Sequence, residues 1–283
     1  MLDPQAEQVR KQDLHPKDIT VNQVLESLSY EPDVPSRDVQ SCLRLAGTLS
    51  VDDQNRSVAL MTSPKLRSWL TSPSSAALLL NGNSKVARRS PVSFVSAKLA
   101  DSLRTKGPLI GLRFFCGEHV DESRDPDASP SGMMNSLLAQ LLEQYNGFDL
   151  TDIRNLEKVK NDNVESLCKV FAKLVTQLPE QTILFCIIDA VSYYEDLGRR
   201  VETLAAIRAL LRLPAKDLNC VFKLLLTSPV RSRHVCELFD KQEIFDLPSY
   251  CPQQGGFTAL QWGTRMGRDV EELGKRLEES DLS

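Results

Sequence analysis

The chain has 283 residues, of which 41% are hydrophobic and 25% are charged, a composition typical of globular proteins. Its 34 basic and 38 acidic residues give a net charge of −4, which argues against a nucleic-acid partner, because proteins that bind nucleic acid carry a basic domain or patch. No apolar run approaches the roughly 20 residues that span a bilayer, and the polar N-terminus does not have the apolar core of a signal peptide. We therefore expect no membrane partner.

Seven cysteines are spread widely along the sequence without a Cys-x-x-Cys pair. An odd number at this spacing predicts reduced thiols, which are typical of a cytoplasmic or nuclear protein. Cys116 and His119 are a potential zinc pair, but a closed zinc site needs four ligands, and no further cysteine or histidine lies near them in the sequence. We expect the buried cysteines to act as small apolar residues.

The first 60 residues are polar and weakly patterned. Thr20 is a candidate N-cap for a short helix through Tyr30, and Ser36 is a candidate N-cap for a second helix that ends at Gly47. We expect residues 1–60 to form a helical, partly disordered N-terminal extension that packs on the main domain.

Residues 61–250 contain five candidate strands that alternate with helical stretches. The strands are predicted over residues 76–80, 109–116, 182–189, 220–227 and 243–247. The helices are predicted over residues 92–103, 132–145, 163–178, 197–213 and 231–240. Strands that alternate with helices predict an α/β fold, in which a mainly parallel five-stranded sheet lies between two layers of helices.

Two stretches fall outside this alternation. Residues 118–131 are rich in Asp, Ser and Pro, and this composition predicts a long exposed loop after the second strand. Residues 251–283 predict a linker followed by a C-terminal amphipathic helix over 264–279, whose apolar positions recur at helical spacing.

The run 182–188 carries no charge and is apolar on every face, so it predicts a central strand that is covered on both sides. Asp189 follows it directly. In α/β proteins the carboxyl ends of such strands border the ligand crevice, and the Walker B aspartate of P-loop NTPases holds Mg²⁺ there. Asp189 is therefore a candidate Mg²⁺ ligand, and the alternative is a carboxylate that caps the following turn.

Residues 81–90 stand where a phosphate-binding loop would connect the first strand to its helix. A working loop reads G-x-x-x-x-G-K-[ST], because glycines let backbone N–H groups surround the phosphates, the lysine binds their oxygens and the hydroxyl binds Mg²⁺. Gly82 fits the first glycine. Ala87, Arg88 and Arg89 stand at the second glycine, the lysine and the hydroxyl, so the motif is degenerate.

Some anion-binding character remains at this loop. Lys85, Arg88 and Arg89 supply positive charge, and Ser90 supplies a hydroxyl one position late. A helix N-terminus attracts anions, although Pro91, at the expected start of the helix, has no N–H to donate. The alternative is a solvated loop in which Ser90 is only the N-cap of the helix.

Polar residues also end the fourth strand. Thr227 and Ser228 stand where a side chain can sense a γ-phosphate, and the alternative is a turn that Ser228 and Pro229 form. A hydrolase further needs a group that activates water, but no acid directly follows Asp189, and Glu195 is the nearest one after it.

The order of these motifs resembles the NTPase domain of NACHT-like STAND proteins, and most of all a group of filamentous-fungal proteins with a degenerate version of that domain. The resemblance covers roughly residues 60–250. It rests on Trp69, Leu78-Leu-Leu-Asn-Gly82, Phe114-Phe-Cys-Gly-Glu-His119, Gly132-Met-Met-Asn-Ser-Leu-Leu-Ala-Gln-Leu-Leu142, Ile187-Ile-Asp189 and Leu225-Leu-Thr-Ser228. It implies a P-loop NTPase-like three-layer sandwich with strand order 5-1-4-3-2, and in intact members a switch driven by ATP or GTP.

Carried over by position, the resemblance places Gly82 and Arg88 in the Walker A loop and Asp189 in Walker B. It places Thr227 and Ser228 in the sensor strand. The Walker lysine, its Ser/Thr and the second glycine are absent, and a proline replaces the sensor arginine. These departures put hydrolysis in doubt, and with it the switching.

The sequence favours a pseudo-NTPase, an interaction or scaffold module that requires no cofactor and whose partner is a protein. The alternative is a STAND-type regulatory switch that binds ATP or GTP with Mg²⁺ through an atypical loop. A small-molecule enzyme on the same sheet, such as a transferase, is a third class, since fold alone does not fix function. The candidate nucleotide-binding residues are Gly82, Lys85, Arg88, Arg89, Ser90, Asp189, Thr227 and Ser228.

Overall fold

The computed structural model describes residues 20–28, 30–84, 87–103, 109–151, 163–253 and 255–273. Their strands form one five-stranded sheet in the order β2-β3-β4-β1-β5, and all neighbouring strands are parallel. The strands are β1 (Ala76–Asn81), β2 (Leu109–Phe115), β3 (Ile183–Asp189), β4 (Val221–Ser228) and β5 (Ile244–Asp246). Read from the other edge, this is the predicted order 5-1-4-3-2, so the α/β fold class is confirmed.

The α-helices of the described residues lie on both faces of the sheet. They are α1 (Val21–Ser27), α2 (Val34–Leu43), α3 (Val51–Met61), α4 (Pro64–Thr71), α5 (Pro91–Ser102), α6 (Pro130–Gln144), α7 (Val164–Val175), α8 (Arg200–Leu211) and α9 (Ala259–Trp262). Helices α1, α6, α7 and α8 cover one face of the sheet, and helices α2 to α5 cover the other together with α9. In the described part of residues 1–60, the regular elements are α1, α2, a 3₁₀ helix over Arg44–Gly47 and most of α3.

Strand β3 lies in the interior of the sheet, between β2 and β4, because it is apolar on both faces. All seven of its residues are buried, and Ile187 is opposite Arg113 of β2 and Leu225 of β4. Since side chains alternate along a strand, Ile188 packs under the α6 face while Ile187 and Asp189 point to the α5 face.

Several helices begin where a serine or asparagine can cap them. Ser90, Ser129 and Asn163 each accept a hydrogen bond from the backbone N–H three residues later, which satisfies a donor that has no partner inside the helix. A proline follows Ser90 and Ser129 as the first helical residue. This explains why α6 begins at Pro130, two residues before the predicted start.

Three sequence predictions about helices need correction. The helix capped by Thr20 ends at Ser27, before Tyr30. Helix α2 begins at Val34 with Asp33 as its N-cap, so Ser36 lies inside the helix, and a short 3₁₀ helix continues to Gly47. The helix predicted over residues 231–240 is wrong, because that stretch contains only the 3₁₀ helix Val235–Leu238.

The loop predicted over residues 118–131 has an exposed tip and an anchored base. Residues 121–124 are exposed. At the base, His119 is buried between Asp38 of α2 and Asp125, with ring-nitrogen to carboxylate distances of 2.9 and 2.8 Å. The loop is therefore held against the N-terminal helices.

The predicted C-terminal helix is partly described. After α9, a π-helical turn over Gly263–Gly267 leads into helical residues 268–273, and residues 274–279 lie outside the described residues. Within the described ranges, no helix combines the length and the apolar character needed to cross a bilayer.

Candidate functional site at the carboxyl edge of the sheet

Asp189 ends β3 and is enclosed by protein, with 1% of its surface exposed. Its Oδ1 accepts a hydrogen bond from the hydroxyl of Thr227 on β4. Thr227 Oγ1 in turn accepts the backbone N–H of Ala190 at 3.3 Å. The turn after β3 is thus capped by Thr227, and the carboxylate of Asp189 does not cap it.

Burial raises the pKa of Asp189 to about 6, although the hydroxyls of Thr227, Ser93 and Ser96 oppose this rise. Ser93 and Ser96 lie on α5, the helix that directly follows the loop, so α5 presents two hydroxyl groups to this carboxylate. Within the described residues, Oδ2 of Asp189 has no hydrogen-bond partner. The site therefore holds a buried carboxyl group that is only half satisfied.

The loop after β1 is bonded to the end of β4. The backbone N–H of Gly82 donates to the carbonyl of Ser228 at 2.7 Å, and the N–H and hydroxyl of Ser84 donate to the carbonyl of Pro229 at 2.9 and 2.8 Å. A Cβ at Gly82 would lie 2.6 Å from Val92 Cγ2 and 2.8 Å from the Pro229 carbonyl oxygen. Glycine is required at position 82 by this close approach to β4.

The second half of the loop lies against the end of β2. A Cβ at Gly117 would overlap the carbonyl oxygen of Arg88, so the Arg88 backbone rests directly on Gly117. Arg89 donates from Nε and Nη2 to the two carboxylate oxygens of Glu118, each at 2.6 Å. These hydrogen bonds raise the pKa of Arg89. Arg89 is committed to Glu118, and the side chain of Arg88 is exposed.

Ser90 is the N-cap of α5, as the alternative for this loop predicts. Its hydroxyl accepts the N–H of Ser93 at 3.2 Å and lies 3.2 Å from the Ser93 hydroxyl. Ser90 is buried, and Pro91 is the first helical residue. Lys85 lies outside the described residues.

Arg56 on α3 fixes the loop from the N-terminal side, and no sequence pattern identifies this role. Its buried guanidinium donates to the carbonyl of Gly82 and to the carbonyls of Pro248 and Ser249, at 3.3 and 3.1 Å for the last two. A basic residue within a polar stretch carries no sequence signal for such a role, because surface helices have the same composition.

A cleft of about 600 Å³ borders the loop on the side of α3. Its wall includes Ser84, Arg89 and Ser90, but also Asp52 and Asp53 from the first turn of α3. Two carboxylates beside the cleft repel a polyphosphate. The cleft is therefore of mixed charge and is not a phosphate cradle.

Glu195 is held away from any catalytic role at Asp189. Its two carboxylate oxygens accept the backbone N–H groups of Arg233, His234 and Val235 at 2.9, 2.8 and 2.7 Å. A carboxylate held by three backbone donors is not free to turn toward Asp189. These bonds also explain why residues 231–240 do not form the predicted helix.

Ser228 lies on the opposite face of the sheet from Asp189, because it follows Thr227 along the strand. It is opposite Asn81, whose amide donates to Asp246 at 2.9 Å and whose Oδ1 accepts the N–H of Ser232 at 3.1 Å. The structure thus brings Asp189 together with Thr227 and separates both from Ser228.

Among the described residues, Cys116 does not join His119 in a group of potential metal ligands; the ligand atoms that converge within 4.8 Å of one another belong to His119, Asp125 and Asp127. Both ring nitrogens of His119 face carboxylates, and burial lowers the pKa of His119 while Asp38 and Asp125 outweigh that effect and raise it to about 9. Burial raises the pKa of the Cys116 thiol. A protonated imidazole and a neutral thiol are poor metal ligands.

The described residues do not fit a Mg²⁺–nucleotide complex. The N–H groups of Gly82 and Ser84 are bonded to β4, the Ser90 hydroxyl caps a helix, and Asp189 is enclosed. Of the described candidate residues, Oδ2 of Asp189 and Oγ of Ser228 have no hydrogen-bond partner. They lie on opposite faces of the sheet, so they do not converge as the octahedron of oxygens that Mg²⁺ prefers would require.

Comparison with known protein families gives a match over much of the chain. Residues 57–228 match the family model described as Nephrocystin 3, N-terminal, which is more than half of the chain and includes strands β1 to β4. No curated protein matches the chain. No solved structure matches it either.

Proposed function

This chain belongs to the family Nephrocystin 3, N-terminal, and we propose that it is a pseudo-NTPase, an interaction or scaffold module that kept a P-loop-like fold and lost the nucleotide chemistry. Its partner in this proposal is a protein. We also propose that this chain is related to the degenerate NACHT-like domains of STAND proteins. This part of the proposal rests on the sequence motifs.

The observation that supports this proposal is the bonding of the loop itself. A phosphate loop needs backbone N–H groups that are free to converge on an anion. Gly82 and Ser84 instead donate theirs to the carbonyls at the end of β4. A nucleotide would have to break these bonds and the Arg89–Glu118 pair before it could be held.

The residue types at the loop support the same conclusion. Arg88 does not replace a Walker lysine, because a planar guanidinium is not a compact point charge that fits among phosphate oxygens. Removing one donor that stabilises charge in a transition state typically costs about 3 kcal/mol. Loss of the lysine together with the Mg²⁺-binding hydroxyl would lower a hydrolysis rate by several powers of ten.

The alternative function is a STAND-type switch that binds ATP or GTP with Mg²⁺. The observation in its favour is that Oδ2 of Asp189 has no hydrogen-bond partner among the described residues. Asp189 stands at the carboxyl end of a buried strand, where ligands of α/β proteins bind. This function requires a second conformation, in which Arg89 leaves Glu118 and the loop leaves β4.

Isothermal titration of the protein with ATP and GTP, each with and without Mg²⁺, distinguishes the two functions. The pseudo-NTPase predicts no saturable binding with Mg²⁺ at a Kd below about 1 mM, equivalent to about 4 kcal/mol. Weak binding that does not depend on Mg²⁺ and is lost at high salt concentration would indicate electrostatic attraction alone. Micromolar, Mg²⁺-dependent binding that Asp189→Ala abolishes would establish the switch.

A further inference from the structure

Helices α7 and α8 pack side by side on the α6 face of the sheet. A groove of about 410 Å³ runs between them on their outer side. Its floor is made of small side chains four residues apart on each helix, Cys168 and Ala172 on α7 and Ala205 and Ala209 on α8. Two rows of small residues leave room for the side chains of a third helix to pack between them.

The row on α8 continues beyond the groove with larger apolar side chains. Val201 is 72% exposed and Leu197, just before the helix, is 86% exposed. Val201 and Ala205 are four residues apart on α8, so they face the same side of the helix, and Leu197 lies in the turn that precedes it. Two large exposed apolar residues beside the groove indicate a contact surface.

The side of the groove formed by α8 and the residues that follow it is basic. Arg208, Arg212 and Lys216 line it and are exposed. In the part of the chain that the structure describes, no carboxylate forms an ion pair with any of the three, whereas Lys169 across the groove pairs with Glu165 at 2.7 Å. This concentration of positive charge contrasts with the chain's net charge of −4.

We propose that this surface, the α7–α8 groove together with Leu197 and Val201, binds an acidic amphipathic helix of a partner protein. The apolar face of that helix covers Val201 and the alanine floor, and its carboxylates meet Arg208, Arg212 and Lys216. Binding of an amphipathic helix in a groove is a common recognition mode, read as apolar anchors at three- and four-residue spacing. The inference rests on the proposed interaction function and names its surface and partner chemistry.

A displayed library of random 16-residue peptides, selected on the full chain, provides the test. We expect enriched peptides to combine apolar residues at three- and four-residue spacing with an excess of Asp and Glu. In titrations of a labelled enriched peptide, Arg208→Glu with Arg212→Glu should weaken binding at least about tenfold, because like charges then face each other. Leu197→Ser with Val201→Ser should weaken it similarly, and added salt should weaken the wild-type complex.

Two controls separate recognition from damage to the fold. Arg265→Glu reverses an exposed charge in the segment after α9, which packs on the opposite face of the sheet, and should leave peptide binding unchanged. A peptide with Lys in place of its acidic residues should bind the Arg208→Glu, Arg212→Glu variant better than the wild type. Such a reversal cannot come from unfolding.

The proposal is overturned if no peptide is enriched, or if enriched peptides bind both groove variants as well as the wild type. It is also overturned if the groove variants abolish self-association of the chain or binding to phosphatidylserine vesicles while no peptide is enriched, since the occupant would then be a second copy or a membrane. Nucleotide titration is independent of α8, so failure here leaves the pseudo-NTPase proposal separately testable.

Discussion

Arg89 and Glu118 bind each other through two parallel hydrogen bonds of 2.6 Å, one from Nε and one from Nη2. Arg89 stands where a Walker A loop has its Mg²⁺-binding hydroxyl, and Glu118 follows the Cys116-Gly117 turn at the end of β2. The pair therefore joins the degenerate loop to the neighbouring strand, and with Arg56 and the end of β4 it fixes the described part of the loop on the sheet edge.

The Arg89–Glu118 pair should contribute measurably to stability. Glu118 is 13% exposed and Arg89 is 45% exposed, and a bidentate pair of this kind exceeds an ordinary surface ion pair. A double-mutant cycle with Arg89→Ala and Glu118→Ala, measured by urea unfolding, should give a coupling of about 1 kcal/mol. The exposed pair Arg37–Glu31 is the control and should couple more weakly. Equal coupling in the two cycles would show that the loop is not held by this pair.

Stability should depend on pH through Asp189. Its pKa rises from 3.8 to about 6 on folding, so between those values the folded state keeps a proton that the unfolded state releases, and stability falls as pH rises through this window. A shift of about two units corresponds to about 3 kcal/mol. Asp189→Asn removes this titrating group. In urea unfolding, the free energy of unfolding of the variant should therefore increase relative to that of the wild type as pH rises from 4 to 7. A constant difference across that range would contradict the account.

The anchor at His119 should show a dependence in the same direction but in a higher pH window. Folding raises the pKa of His119 from 6.5 to about 9, so its contribution is complete below pH 6.5 and is lost as pH rises through 9. The stability lost in His119→Ala should be largest near pH 6 and should shrink by pH 10, by about 3 kcal/mol at most. Asp125→Asn removes one of the two carboxylates that raise the pKa of His119, so in this variant the contribution of His119 should be lost at a lower pH. A His119→Ala deficit that is independent of pH would mean that folding does not raise the pKa of His119.

Ile187→Asp tests the central position of β3. Ile187 is 1% exposed between β2 and β4, and an unpaired buried charge costs several kcal/mol. We expect the variant not to fold cooperatively, as judged by circular dichroism on heating. The matched control Val201→Asp places the same charge at an exposed position and should melt like the wild type. A soluble, cooperatively folding Ile187→Asp variant would contradict the placement of β3.

The strands and their ends were accessible from sequence because they follow from local patterns. The uncharged run before Asp189 requires cover on both faces, and only a central strand provides it. Strand order came from the resemblance, and the structure confirms it. The position of Gly82, just after an apolar strand, indicated a tight turn there, and the structure shows that the turn lies against the end of β4.

The contacts that decide the state of the site were not accessible, because they join residues that are distant in sequence. Arg56 reaches Gly82 from α3, and Glu118 reaches Arg89 from the turn after β2. Arg56 belongs to no motif, and the motif over residues 114–119 contains Glu118 without identifying its partner. The prediction of a helix over 231–240 failed for the same reason, since Glu195, from the turn after β3, binds the backbone that the helix would need.

Phosphate release by the purified chain, measured with ATP and with GTP in the presence of Mg²⁺ for the wild type and for Asp189→Ala, tests the central claim most directly. We expect both proteins to release phosphate only at the rate of uncatalysed hydrolysis in buffer. The reasons are that the carboxylate of Asp189 is enclosed, that the loop after β1 is bonded to the end of β4, and that no acid directly follows Asp189. Turnover near 1 s⁻¹, a typical enzymatic rate, that disappears in Asp189→Ala would contradict the account and establish an active NTPase.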